Sequence, residues 1–399
     1  MPLPFLRPLA AASLALLASA GLAQTPPSLR EAVDAAWALG APARAAASRT
    51  QELDARERAA ASLFAGPASV SGSYRSDRLG SNGGLRESEL EVSAPVWDPR
   101  LRRATAQQVA ADRAAFAQAQ AAARLKLAGE VREAAAQATL AQIERELARA
   151  RVHDAQALAA DVERRVRAGE SARVDLLQAQ SLARQAGAAE AQADSALART
   201  AAHWRALTGV PQLPELDAAE GTPLESPAVL AARAQVQAAQ ARLALAQADR
   251  REPMEVGLGV VRERAGFGAA SETSLRLALR VPLAGEIRNG ARIAAARAEL
   301  EAAQAELEAA ERTGRAEVES ARAELEAARR AETLAAERER DAREVQALIA
   351  RSWRLGESDL PTRLRADTER FEAELARARA QLEARRATAR LNQAQGILP

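Results

Sequence analysis

The chain has 399 residues, of which 48% are hydrophobic but only 3% aromatic, and alanine fills much of the remainder. Because alanine buries little area yet is the best helix former, this composition argues against a compact α/β enzyme and for long, thin, closely packed helices. The 55 Lys and Arg residues nearly balance the 53 Asp and Glu residues, without the basic patch that would bind nucleic acid, and the absence of cysteine excludes disulfides, thiolate metal sites and lipid attachment at an N-terminal cysteine.

The N-terminal residues have the pattern of a secretory signal peptide. Arg7 precedes a mainly apolar stretch over residues 9–22, and small residues predict cleavage after Ala23 or, as the alternative, after Ala20. A membrane anchor is the other interpretation, but the apolar stretch is shorter than the roughly 20 residues that a spanning helix needs. We therefore assign residues 1–23 to a signal peptide and expect an exported protein.

The next residues predict a helix over 29–63 and then a pair of short strands over 67–96. In these strands apolar residues alternate with polar ones, which is the period of a strand with one apolar and one polar face. The alternation is clearest at Leu90 and Val92 and weakest around Val70.

A long helical hairpin over 100–207 completes this plan. Its first helix, residues 100–168, would be about 100 Å long, and its second would return about half that distance. The opening helix would fill the other half, stacked end to end with the returning one. Gly169 suits the left-handed conformation that ends a helix, and Ser171 can cap the helix that follows.

The whole plan then recurs. The segment RAGES at 167–171 returns as RLGES at 354–358, a shift of 187 residues, and Leu90, Pro95 and Gly209 have counterparts at the same shift. A repeat of this length indicates tandem halves of one structure, not a solenoid of short units. The predicted ranges are a first repeat over 24–210, a proline-rich linker over 211–227, and a second repeat over 228–399 with a helix, a strand pair at 254–283 and a hairpin at 289–395.

Large apolar residues of the long helices recur at spacings of seven and eleven, as at Leu300, Leu307, Val318 and Leu325. Sevens alone impose a left-handed supercoil and elevens a right-handed one. The mixture predicts nearly straight helices, and an ordinary coiled coil stays the alternative over short stretches.

No other segment supplies a core that the apolar face of the strands could cover. A half-buried soluble sheet is the usual interpretation of such a pattern, but outer-membrane lipid can also cover the apolar face while water lines the polar one. On the polar face, Gly257 and Gly259 predict a smooth patch. The predicted lipid-facing residues are Val70, Tyr74, Leu90, Val92, Val256, Leu258, Leu275, Leu277 and Leu279.

Four strands cannot close a barrel, and open sheet edges do not occur in lipid. The barrel would therefore be shared among chains. Two chains would give eight strands, whose interior is filled by side chains, and three would give twelve strands, which leave room for a bore.

These features resemble the TolC family of outer-membrane efflux proteins over essentially the whole mature chain. The resemblance rests on the signal peptide, the duplicated strand pair and long hairpin, the turn segments RAGESARVDLLQA (167–179) and RLGESDLPTRLRA (354–366), and the ending LTG at 207–209. It implies a mainly α-helical homotrimer whose shared twelve-stranded β-barrel lies in the outer membrane of a Gram-negative bacterium. It further implies an α-helical tube in the periplasm, a periplasmic adaptor and an inner-membrane pump as partners, and neither enzymatic activity nor a cofactor nor a metal site.

The resemblance also implies positions for the functional residues. The helical tips that contact the adaptor would be formed by Arg167, Gly169, Glu170, Ser171, Arg354, Gly356, Glu357 and Ser358. The periplasmic entrance would be lined by Asp175, Gln178, Thr362 and Arg365. Members of the family often carry acidic residues at the last two positions, so Thr362 and Arg365 predict an entrance that is less attractive to cations.

A narrower resemblance concerns the cargo. The segment Pro95-Val96-Trp97-Asp98-Pro99, followed by Arg102, looks most like the heavy-metal (cobalt-zinc-cadmium) branch of the family, which exports through resistance-nodulation-division pumps. The structural alternative is that this segment simply ends a strand at the membrane interface.

Two other classes of function compete with the export duct. A periplasmic adaptor also uses a coiled-coil hairpin, but it needs one hairpin flanked by compact β domains, whereas this chain predicts two hairpins. An enzyme needs a nucleophile, a base and an orienting residue together. The two histidines of the sequence, His153 and His203, lie in helical stretches without the spacing of a metal pair.

Overall fold

The computed structural model describes residues 28–216, 219–283 and 286–399, and the predicted signal peptide at 1–23 lies outside these ranges. In chain order the helices and strands are α1 (Leu29–Leu39), α2 (Ala41–Ala61), β1 (Ser69–Ser76), β2 (Arg86–Val96), α3 (Pro99–Arg167), α4 (Arg173–Thr208), α5 (Pro227–Ala248), β3 (Met254–Arg264), β4 (Glu272–Arg280), α6 (Glu286–Leu355) and α7 (Leu360–Ala394).

The elements of the second half follow those of the first at the shift found in the sequence. Helix α3 begins at Pro99 and α6 at Glu286, while α4 begins at Arg173 and α7 at Leu360, so both pairs are 187 residues apart. The long helices contain 69 and 70 residues, which corresponds to about 100 Å each.

The first predicted helix is wrong in one respect, because residues 29–63 form two helices. The break lies at Gly40, which ends α1 and is the N-cap of α2 in an extended conformation. Pro42 follows in the first turn of α2, where its missing amide hydrogen is not needed. Ser28 starts α1 with a capping box, in which Ser28 and Glu31 each accept a hydrogen bond from the other's backbone amide.

The shorter helices α5 and α7 lie one after the other along α6. Leu300 and Leu307 of α6 pack against α5, and Val318 and Leu325 pack against α7. The apolar residues at spacings of seven and eleven therefore form a helix–helix contact line. Where α5 and α7 meet, the Leu224 amide donates to the Gln395 carbonyl over 3.1 Å.

The best-buried region is the middle of the helical body, around Trp204 of α4. This side chain has no exposed surface, and its indole nitrogen donates to the Gln212 carbonyl over 3.1 Å. Its neighbours in the cluster come from α1, α3 and α7, and most of those from α3 are alanines. Small side chains let the helices approach closely, so a thin wall holds together with few aromatic residues.

The four strands form one antiparallel sheet in the order β1-β2-β3-β4. Directly opposed residues share a face, and the register puts Val92 opposite both Val70 and Leu258, which in turn is opposite Leu277. One side of β1 and one side of β4 have no strand partner in the described ranges. The sheet is therefore open at both ends.

The helices form a wall in a matching order. Helix α3 contacts α2 and α4 as well as α5 and α7, and α5 and α7 in turn contact α6. The wall is thus bounded by α2 and α4 at one end and by α6 at the other. None of the helices in the described ranges is both long and apolar enough to cross a membrane.

Candidate functional site

The two hairpin turns have the same backbone conformation. Gly169 and Gly356 both have φ of +79°, and nothing lies within 4 Å of where a Cβ would be. In each turn the next residue bonds back to the end of the long helix: the Glu170 amide donates to the Arg165 carbonyl (2.8 Å) and the Glu357 amide to the Ser352 carbonyl (3.0 Å). The conformation, not crowding, requires glycine here.

The predicted tip residues lie together at these two turns. Arg167, Gly169, Glu170, Arg354, Gly356 and Glu357 are exposed, and Ser171 and Ser358 are half-buried. The serines do not act as the expected helix caps, because the N-caps are one residue later, at Ala172 and Asp359.

The four predicted entrance residues do not share one environment. The Asp175 carboxylate accepts the Ala172 amide over 3.1 Å, so it caps α4, and Gln178 is exposed. Thr362 and Arg365 line a cavity of about 640 Å³ between α6 and α7. The sequence interpretation missed Asp367, which pairs with Arg363 at 3.0 Å and accepts a hydrogen bond from Gln346 at 2.8 Å.

A polar contact joins the two hairpins one helical turn above the tips. The Arg165 guanidinium stacks on the Trp353 ring at 4.5 Å from its centroid, and Asp161 accepts from Arg165 at 3.2 Å and from the Trp353 indole at 3.4 Å. Burial raises the pKa of the Asp161 carboxyl, but the hydrogen bonds from Arg164 and Trp353 and the charge of Arg165 outweigh it and leave that pKa below its ordinary value. The carboxylate therefore stays charged near neutral pH.

Apolar side chains cover one face of the sheet, called here the convex face, which contains Val70, Leu90, Val256 and Leu275. The exposed fractions of the exposed large apolar residues on this face lie between 43% for Val256 and 76% for Leu277. An exposed apolar surface of this extent marks an interaction site. The opposite face, called the concave face, carries Ser69, Ser71 and Ser73 of β1 and the glutamates of β2, and it is more buried in β2 and β3.

Comparison with known proteins shows which proteins the chain is similar to. Residues 223–397 match the family model of outer membrane efflux proteins, whereas no curated protein matches the chain. Three solved structures have the same fold: a membrane protein from Pseudomonas aeruginosa (22% identity, 92% of this chain and 90% of that chain covered, TM-score 0.72), the outer membrane protein VceC from Vibrio cholerae (17%, 92% and 96%, 0.74) and CusC (17%, 99% and 99%, 0.73).

The second half of the chain is similar to the outer membrane efflux protein family. The family model lies in the second repeat, and the structural likeness extends the fold over the first. The similarity is thus to efflux proteins of the outer membrane. The recognition made from the sequence is confirmed, and the family is one of channels, which favours a duct over the adaptor and the enzyme.

The concave face is not smooth at Gly257 and Gly259, contrary to the expectation from sequence. Both glycines are buried, and a Cβ at Gly257 would collide with the Glu91 carboxylate. Glu91 thus lies across β3 in the room that the glycines leave. Beside it, Arg276 of β4 forms an ion pair with Glu89 of β2.

Three polar side chains of the segment that resembled the heavy-metal branch form hydrogen bonds at the junction between β2 and α3. The Trp97 indole donates to the Ser62 carbonyl (3.0 Å), and Arg102 donates to the carbonyl of Ala61 (3.0 Å), the last residue of α2. Asp98 caps α3 by accepting the Arg100 amide (2.8 Å). That hydrogen bond, with the charge and hydrogen bond of Arg251, lowers the pKa of Asp98 although burial opposes it.

The two histidines lie on the surface of the helices. His153 and His203 are exposed on α3 and α4. Within the described ranges, His, Asp and Glu residues form no group of three that could hold a metal ion. The candidate functional features described above are surfaces.

Proposed function

We propose that three copies of the chain close into one tube that serves as a passive exit duct. It would conduct substrates from an inner-membrane pump and a periplasmic adaptor to the exterior. The observation that supports this proposal is that the sheet and the helical wall are open at corresponding edges.

The first argument concerns the sheet. Strands β1 and β4 each have an edge of unpaired backbone groups while the convex face is apolar. In lipid an unpaired edge costs several kcal/mol per backbone group. Pairing β4 of one copy with β1 of the next would remove both edges and produce a closed barrel.

The second argument concerns the helices. Helix α6 follows β4 and bounds the wall on the same side, whereas α2 and α4 bound the β1 side. Along the lower part of α6, Leu334, Val345 and Leu348 are more than half exposed, and so are Val174 and Leu177 of α4. A neighbouring copy would bury both apolar edges at once.

The number three follows from the bore. Two copies would give eight strands, whose interior is filled by side chains. Three copies would give twelve strands and a water-filled lumen lined by the concave face. Glu91 and the Glu89–Arg276 pair would then face water, which suits charged groups better than lipid does.

The hairpin tips would be the point of regulation. We propose that Arg167, Gly169, Glu170 and Ser171, with their counterparts Arg354, Gly356, Glu357 and Ser358, contact the adaptor. Asp175, Gln178, Thr362 and Arg365 would line the entrance just above. Adaptor binding would open the duct by favouring a state in which the two hairpins move apart.

The charge of the concave face favours cations as cargo, including the metal ions suggested by the sequence. The register places six glutamates on this face against three arginines. The glutamates are Glu87, Glu89, Glu91, Glu255, Glu263 and Glu272, and the arginines are Arg75, Arg276 and Arg280. An excess of negative charge raises the local concentration of cations in a pore.

Two measurements test the duct. We expect the purified protein to have three times the mass of one chain in detergent and to form steady pores in planar bilayers. A monomer in detergent, or bilayers without pores, would refute the proposal. Deletion and complementation in the source cell would identify the cargo, and unchanged tolerance to zinc, cobalt and cadmium with new sensitivity to drugs would refute the metal assignment.

A further inference from the structure

Three arginines, Arg86, Arg262 and Arg264, lie on the convex face at the loop end of the sheet. Arg86 lies directly opposite Arg264, and Arg262 is the diagonal neighbour of Arg86. Like charges directly opposite each other on one face destabilise a sheet. An anion bound between these arginines would reverse that effect.

The sheet itself does not supply this anion. Every glutamate of the four strands lies on the concave face, by the register given above. Asp77 in the loop between β1 and β2 is already engaged, since it accepts the amides of Gly83 (2.6 Å) and Gly84 (3.2 Å) and the hydroxyl of Ser81.

The three arginines differ in whether their side chains already have hydrogen-bond partners. Arg264 donates to the Gly84 carbonyl at 3.3 Å, so it also holds the loop. Arg86 and Arg262 are exposed, and neither side chain forms a hydrogen bond or ion pair with a residue that the structure describes. Two guanidinium groups are therefore free to bind a ligand.

Their position relative to the apolar surface indicates which ligand. The row Tyr74, Ser88, Arg262 and Thr273 lies between the apolar rows and the loops. The other ends of the strands lead into the helices, so in the proposed duct this row would be at the outer surface. Tyrosine is typical of that depth in membrane barrels, and guanidinium binds phosphate through paired hydrogen bonds.

We propose that Arg86 and Arg262 bind the phosphate of an outer-leaflet lipid headgroup. Arg264 adds positive charge, and the hydroxyls of Ser88 and Thr273 lie in the same row as Arg262. This site rests on the proposed membrane assembly, because it is the lipid-covered convex face that brings a headgroup to these residues. It would fix the depth of the barrel in a protein that has few aromatic residues to do so.

The test uses the full-length protein reconstituted into phosphatidylcholine vesicles with or without phosphatidic acid. Lipid retained after detergent extraction is measured by native mass spectrometry for the wild type and for the double variant R86Q/R262Q. We expect the wild type to retain phosphatidic acid and the variant to retain about tenfold less, as the loss of charged hydrogen bonds predicts. The matched control R75Q/R280Q removes two arginines from the concave face and should retain as much as the wild type.

Three outcomes would overturn the site. The first is that R86Q/R262Q retains as much phosphatidic acid as the wild type, and the second is that R75Q/R280Q loses as much as R86Q/R262Q. The third is displacement of the lipid by millimolar inorganic phosphate, which would indicate a site for the free anion. Bilayer conductance of the same preparations separates this proposal from the duct. Normal pores with equal retention refute only the lipid site, whereas a wild type without pores refutes the assembly.

Discussion

The two loops of the sheet hold each other at one residue, Gly84. Its φ of +90° is in the left-handed region, and a Cβ there would lie 2.6 Å from the backbone nitrogen of Phe267. That nitrogen donates to the Gly83 carbonyl over 2.9 Å, and Arg264 donates to the Gly84 carbonyl. Backbone conformation and close approach both require glycine here.

Replacing Gly84 with alanine should therefore separate the two loops. We expect a loss of about 1–3 kcal/mol from backbone strain, measured as a lower unfolding temperature and as faster proteolysis of the β1–β2 loop. Gly80→Ala is the matched control, because it lies in the same loop with its nearest neighbour at 3.7 Å. Equal proteolysis of the two variants would contradict this account.

Asp98 has a comparable role at the other end of the sheet, where β2 turns into the 69-residue helix α3. Asp98→Ala should cost about 1 kcal/mol, the usual effect of losing an N-cap. Because the folded-state pKa of Asp98 is lowered, its stabilisation is fully present above the ordinary pKa of about 4. It is lost as the pH falls through the lowered value.

Unfolding temperatures of the wild type and Asp98→Ala should thus differ at neutral pH and converge in acid below the lowered pKa. Glu301→Ala, an exposed change on α6, should give no such pH-dependent difference. A gap between wild type and Asp98→Ala that stayed constant down to low pH would refute the role of the carboxylate.

At the scale of elements, adjacent residues of a strand lie on opposite faces of the sheet, which differ in their surroundings. Leu277 is 76% exposed on the convex face, and Ala278, its neighbour in β4, is half-buried on the concave face. Leu277→Arg should cost about 2–4 kcal/mol per chain, as a charge facing the middle of the bilayer does. Ala278→Arg would face water and cost much less.

Electrophoresis measures the amount of heat-stable oligomer, and fractionation measures the amount of protein inserted in the outer membrane. Both amounts should fall for Leu277→Arg and stay near the wild-type level for Ala278→Arg. The opposite order would mean that the convex face is not turned to lipid.

The hairpins form a second pair of elements, joined near the tips by Asp161, Arg165 and Trp353. Trp353→Leu keeps an apolar side chain but removes the indole donor and the surface on which Arg165 stacks. We expect the tips to part more readily and the pores to show a larger or longer-lived open state. Conductance in planar bilayers measures this. Arg354→Ala, whose side chain bonds to the Ala350 carbonyl of its own helix and to no other described residue, should behave as the wild type.

At the scale of the whole molecule, the proposed tube collects the concave faces of three chains around one lumen. Glu91 would contribute one uncompensated charge per chain, since it has no ion pair among the described residues. Glu91→Gln should weaken cation preference, and Arg280→Gln should strengthen it, because they remove opposite charges from one surface. Reversal potentials in a salt gradient give the sign, and shifts in the same direction would contradict a lumen lined by this face.

Much of the whole-molecule plan was predictable from the sequence. The repeated glycine turns and the strand alternation gave the positions of the hairpins and strands to within a few residues. The exceptions were local: Gly40 divides the first helix, and Ala172 and Asp359, not the serines, cap α4 and α7. A break or cap depends on one or two backbone angles, which periodicity does not specify.

The sequence by itself determined the repeated elements and their apolar faces, because helix and strand periods are properties of short stretches of backbone. Only the tertiary structure decided which side chains meet. It placed Glu91 over two glycines, Gln346 beside Asp367, Asp161 beside Trp353, and Arg86 opposite Arg264. These contacts depend on strand register and on helix docking between segments that are mostly many residues apart, and those are fixed only when the whole chain packs.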